Sequence, residues 1–170
     1  MPLVPFETLP DTSRTWVFAA DHNLSRSQAA QLLNAVDGFL DQWRAHGSPL
    51  TVGRSWRDDR FLTVAVDQST AGASGCSIDE LFRVLKSVEG RVGASLVGSG
   101  RIFYRDASGA IQSVNREDFG KLAAKGDITA ATTVFDPTVA SLGEWRAQFE
   151  TDVGHSWHAA LIKDRRPQPA

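Results

Sequence analysis

The 170-residue chain carries 18 Lys and Arg against 20 Asp and Glu, a formal net charge of −2, and one cysteine. A single cysteine excludes an intramolecular disulfide, and the slightly acidic balance gives no general attraction to nucleic acid or an anionic membrane. The length suits one domain, enough to bury roughly 70% of the unfolded surface without staples.

Residues 1–13, with three prolines, read as an extended lead-in. Residues 14–163 read as a single α+β domain, and residues 164–170 as a flexible tail. The start, Met1-Pro2-Leu3-Val4-Pro5-Phe6-Glu7, has no basic n-region and no apolar h-region. No apolar run approaches the ~20 residues of a membrane span, so a cytoplasmic location is expected.

Thr15 to Ala19 is a short apolar strand. Ser25 and Gln28 then form a capping box, each side chain meeting a free backbone N–H at a helix start. Ala29, Leu32, Leu33, Val36, Leu40 and Trp43 follow at helical spacing, predicting a helix to about Ala45 that Gly47-Ser48-Pro49 ends. Leu50 to Trp56 reads as a strand and Arg57-Asp58-Asp59-Arg60 as a turn. Phe61 to Val66 is a strand apolar on both faces, hence central. After the small polar loop from Asp67 to Gly75, Ser77 and Glu80 make a second capping box for a helix burying Ile78, Leu81, Phe82, Leu85 and Val88.

Arg101 to Arg105 is the next strand, turned by Ala107-Ser108-Gly109 into Ala110 to Val114. Asn115 caps a short helix, Thr132 to Phe135 is a further strand, and Ser141 with Glu144 is a third capping box. Leu142, Trp145, Phe149 and Val153 fall on one face of the helix it opens. The first 105 residues therefore run β-α-β-β-α-β. That order predicts a ferredoxin-like core, both helices on one sheet face, with the C-terminal β/helical extension covering the sheet.

Several words in the chain resemble a family of uncharacterised bacterial proteins that often carry the automatic name "ABC transporter ATPase". They are Ser13-Arg14-Thr15-Trp16, Trp43-Arg44-Ala45-His46-Gly47, Arg60-Phe61-Leu62 with Ala65-Val66-Asp67-Gln68-Ser69, Ala73-Ser74-Gly75-Cys76-Ser77-Ile78-Asp79, and Ser156-Trp157-His158. The resemblance implies no established activity. It departs at Pro137, where the family has Asn after a Phe-Asp or Phe-Asn pair. The inherited name fails on chemistry. An ATPase of that type needs Gly-x-x-x-x-Gly-Lys-Ser/Thr to cradle phosphates, and here Gly93 to Gly98 is followed by Ser99.

The loop from Asp67 to Asp79 is the candidate binding site, with Asp67, Ser69, Ser74, Gly75, Cys76, Ser77 and Asp79 as its residues. Cys76, just before the expected Ser77 cap, has two readings: a small apolar residue in a tight turn, or a nucleophile with His46 or His158 as base. His155 and His158, three apart, would share a helix face and are the two weak metal candidates. Two ligands fall short of a zinc site, so no metal and no cofactor is expected. Trp16, Phe18, Phe61 and Phe103, with Arg101 and Arg105, resemble an RNA-binding sheet face but lack its Arg/Lys-Gly-Phe/Tyr pattern. The sequence thus favours a small binding domain for a small molecule or protein rather than nucleic acid or membrane. A thiol enzyme built on Cys76 is the alternative.

Overall fold

A computed structural model of the chain describes residues 3–45, 47–69, 73, 75–96 and 100–163, with all of their side chains except those of Cys76 and Lys163. His46 and Ser74 lie outside the described residues. The chain divides into two compact units, residues 1–98 with 137–145, and residues 99–136 with 146–170.

The first unit is a three-stranded antiparallel sheet with two helices on one face. Its strands are β1 (Arg14–Ala19), β4 (Thr51–Arg57) and β5 (Phe61–Asp67), in the order β1-β5-β4. The two-residue strands β2 (Arg44–Ala45) and β3 (Ser48–Pro49) form a separate small ribbon. The continuous apolar run makes β5 central, as expected. Val66, Val64 and Leu62 pack under the helices α1 (Arg26–Gln42) and α2 (Gly75–Val92), through Leu32, Val36 and Leu40 of α1 and Leu81, Leu85 and Val88 of α2. On the opposite face, Ala65 packs with Phe6, Leu9 and Leu142.

The capping box of α1 is present: Ser25 Oγ accepts from Gln28 N–H at 3.1 Å, and Gln28 Oε1 accepts from Ser25 N–H at 2.9 Å. At the turn after β4, Asp58 and Asp59 both take positive φ, 58° and 54°. This is the left-handed pair that a tight hairpin needs to match strand twist.

Residues 1–13 do more than lead in. Phe6–Thr8 is a 3-10 turn, Phe6 and Leu9 are buried, and Val4 N–H donates to Val52 C=O at 2.8 Å on the outer edge of β4.

The second unit has its own sheet, in the order β7-β6-β8-β9: β6 (Ile102–Arg105), β7 (Ile111–Val114), β8 (Thr133–Phe135) and β9 (Glu150–Asp152). Its core gathers Ile102, Tyr104, Phe119, Ile128, Val134, Val153 and Ile162. Asn115 caps α3 (Arg116–Ala124), accepting from Asp118 N–H at 2.7 Å. In the β6–β7 turn, Asp106 accepts from Ser108 and Ala110 N–H, Ser108 Oγ and Gln112 Nε2, which hold its carboxyl down at about 2.

This arrangement corrects the expected β-α-β-β-α-β core with its four-stranded sheet. The sixth element, β6, does not join β1. It pairs with β7 through a short turn and with β8, because the hairpin partner is only a few residues away and costs little loop entropy. The C-terminal segment is corrected too. The helix α4 (Leu142–Gln148) stops before Phe149, which lies just ahead of β9, and Val153 opens a 3-10 turn; both belong to the second unit. Phe149 is buried and Trp145 is half-buried, its ring edge-on to Phe6 at 5.1 Å. Ser141 does cap α4, accepting from Glu144 N–H at 3.1 Å, but the Glu144 carboxylate reaches Ala140 N–H instead of closing a box. A last helix, α5 (Ala159–Lys163), packs against α3.

Candidate functional site

In the ferredoxin-like arrangement the last strand hydrogen-bonds to the outer edge of the first. Here that position on β1 is only partly occupied. The outward groups of β1 belong to its odd-numbered residues. Ser13 C=O accepts from Leu142 N–H, Thr15 N–H donates to Ala140 C=O at 3.0 Å, and beyond the strand Asp21 N–H donates to Ser95 C=O at 3.0 Å. Between these ends, the outward backbone groups of Val17 and Ala19 have no hydrogen-bond partner among the described residues.

Thr15 N–H joins the segment from Pro137 to Ala140 to β1 at Ala140 C=O, and a cavity of about 310 Å³ lies beside it. Arg14 to Phe18, Phe82, Leu96 and Pro137 to Ala140 line it. Phe18 and Phe82 meet edge to face at 5.4 Å, and Phe82 is one of two large apolar side chains left exposed among the described residues. At the other end the Arg14 guanidinium lies 4.9 Å over the Trp16 ring, exposed and without a carboxylate partner among the described residues. Trp16 in turn contacts Trp43 at 6.3 Å, and Trp43 Nε1 donates to Ser77 C=O at 2.9 Å, tying α2's first turn to the same end of the sheet.

The loop singled out in the sequence is more self-contained. Asp67 Oδ1 accepts from both N–H and Oγ of Ser69, which hold its carboxyl below the usual range. The second capping box does not form. The helix α2 begins at Gly75, and Ser77 is buried within it, its hydroxyl donating to Arg44 C=O at 3.1 Å. Tertiary partners for both the hydroxyl and the carbonyl outcompete a local cap. Gly75 and Asp79 are exposed. Cys76 is therefore within the first helical turn, not before it, while its side chain lies outside the described set.

Other cavities lie in the first unit. One of about 660 Å³ runs along α1 and α2 past Asn34 and Arg91. Another of about 400 Å³ lies beside the Arg54–Asp37 pair, whose two hydrogen bonds of 2.8 Å neutralise each other's charge.

The histidine pair does not share a helix face. His155 is exposed in a 3-10 turn, Val153–His155, and pairs with Asp152. His158 is fully buried in the second unit. Its Nδ1 is 2.7 Å from Ser156 Oγ. Burial holds its pKa near 4, with Asp136 opposing and Arg116 reinforcing that shift. A group so weakly basic is a poor general base near neutral pH. Among the described residues no cluster of three or more His, Cys, Asp or Glu is placed to hold a metal. Nor is any helix there long and apolar enough to cross a membrane.

The aromatic face expected from sequence is split by the register. Phe18 stands opposite Leu62, so Phe61, opposite Ala19, points to the other face, and Phe103 is in the second sheet. The open edge of β1 had no signal of its own in the sequence, since it depends on where a distant strand pairs. No known protein family, curated protein or solved structure matches this chain.

Proposed function

We propose that the protein is a binding domain that takes an extended, acidic peptide segment onto the outer edge of β1. The observation that carries this is the unpaired Val17–Ala19 backbone beside the groove. Main-chain donors and acceptors supply affinity in strand addition, and side-chain pockets supply selectivity. The edge from Thr15 to Asp21 spans roughly 20 Å, room for a short strand. Phe82 and Leu96 offer an apolar wall and Arg14, stacked on Trp16, a cation with no carboxylate partner among the described residues. This keeps the binding-domain reading of the sequence but moves its centre from the Asp67–Asp79 loop to the neighbouring strand edge.

The test uses a random-peptide display selection followed by two variants. Val17→Pro removes the outward N–H, and an edge strand tolerates proline. It should weaken selected peptides by about tenfold or more, ~1.4 kcal/mol. Arg14→Glu should weaken acidic binders and reverse their salt dependence. Binders unaffected by both variants would refute the reading.

The thiol reading gains one observation, the place of Cys76 in the first turn of α2, where free N–H groups favour a thiolate. It requires iodoacetamide alkylation faster than a free thiol with a midpoint below pH 7. The binding reading expects a slower rate.

A further inference from the structure

The second unit contains a buried histidine that the binding reading does not use. His158 follows Ser156 and Trp157 in the turn that opens α5. Its backbone carbonyl accepts from Leu161 N–H at 3.0 Å, Trp157 C=O from Ala160 N–H at 3.1 Å, and Ser156 C=O from Ala159 N–H at 3.1 Å. The ring is stacked on Trp157 at 3.9 Å and tilted against Phe119 of α3 at 6.0 Å.

Only one ring nitrogen is served. Nδ1 meets Ser156 Oγ, while Nε2 is buried with no partner among the described residues. The charged groups facing the ring are Asp136, just after β8, and Arg116, at the start of α3, which also lies over Trp157 at 5.3 Å. Asp152 and His155 on the adjoining turn pair with each other. A neutral imidazole fits this site. A protonated one carries N–H on both nitrogens, and the Nε2–H would be a buried donor without an acceptor on a buried cation, beside Arg116.

We propose that His158 is an acid-labile latch: its protonation releases Ser156–Lys163 from the core of the second unit and uncovers the apolar surface around Phe119. Ile162 and the partly buried Ala159 and Leu161 are what α5 contributes to that core, so the released segment takes its apolar cover with it.

The sign follows from linkage. The folded pKa of about 4 lies below the ordinary 6.5. The closed state is therefore fully favoured above pH 6.5 and loses ground as pH falls towards 4. Protection of the Ala159, Ala160 and Leu161 amides, measured by hydrogen exchange and corrected for intrinsic rates, should fall roughly 30-fold between pH 7.5 and 5.0. Amides of β5 serve as the control and should change little. His158→Phe should abolish the difference. Unchanged protection in the wild type, or the same pH dependence in His158→Phe, would overturn the latch. Should His158→Phe fail to fold, ring titration of the wild type by NMR decides. A His158 midpoint near 4 supports the latch and one at or above 6 contradicts it.

Discussion

Gly53 shows how a single residue fixes the first unit. A Cβ built there would stand 3.0 Å from Phe6 Cα, Val4 C=O and a Leu9 methyl, so two of its three neighbours are backbone. Only glycine lets the N-terminal segment lie against β4 this closely. Gly53→Ala should cost about 1–3 kcal/mol in urea denaturation, the range for overpacking. A loss under about 0.5 kcal/mol would show that the segment shifts freely. Arg60 is a second such residue. It is buried, and its guanidinium donates to Ala20 C=O at 3.1 Å and Asp21 C=O at 2.8 Å, pinning the chain just after β1. Residue-level sequence reading succeeded where partners are local, as at Ser25 and Asn115. It failed at Ser77, whose hydroxyl is taken by Arg44, 33 positions away. For the candidate site, the sequence reading centred on the Asp67–Asp79 loop, and Asp67 lies at the same end of the sheet as Arg14. It gave no sign of Val17, because an unpaired N–H is a property of neighbours rather than of a residue type.

At the scale of elements, α1 and α2 were legible because amphipathic periodicity places Leu32, Val36, Leu40, Leu81, Leu85 and Val88 on the faces that pack on β5, while Phe82, expected inward, is exposed. Ser25 carries the start of α1 with two reciprocal bonds, and Ser25→Ala should cost about 1 kcal/mol, with the measured loss appearing as a lower thermal midpoint. An unchanged midpoint would mean that Gln28, which also donates to Val92 C=O at 2.8 Å, holds the helix start alone. The C-terminal helix was misread for a physical reason. Leu142, Trp145, Phe149 and Val153 are correctly spaced for a helix, but Phe149 C=O accepts from Asp136 N–H at 2.8 Å and the chain enters β9. Strand pairing with β8 won over local periodicity. The same competition removed β6 from the first sheet, and that loss leaves the edge of β1 open.

Across the whole molecule, the chain divides into two compact units, and each gathers segments far apart in sequence. Pro137 to Trp145 belongs to the first unit although the residues on either side belong to the second. Pattern reading cannot see such a return, since it follows the chain rather than space. The N-terminal segment matters in the same way. Burying Phe6 and Leu9 is worth roughly 1.5–3 kcal/mol each. Deleting residues 1–12 should therefore lower the stability of the first unit by several kcal/mol, read as an earlier loss of amide protection in β5. A truncated protein with β5 protection intact would show that the segment only covers and does not stabilise.

The most direct measurement of the central claim is amide exchange at the edge itself. A peptide taken from display selection is added to the full chain at saturation, and exchange at Val17 and Ala19 is compared with the free protein by NMR. Strand addition predicts that both amides slow by about tenfold or more, while the inward amides of Trp16 and Phe18, already bonded within the sheet, change far less. Saturated binding with Val17 and Ala19 exchanging as fast as before would contradict it.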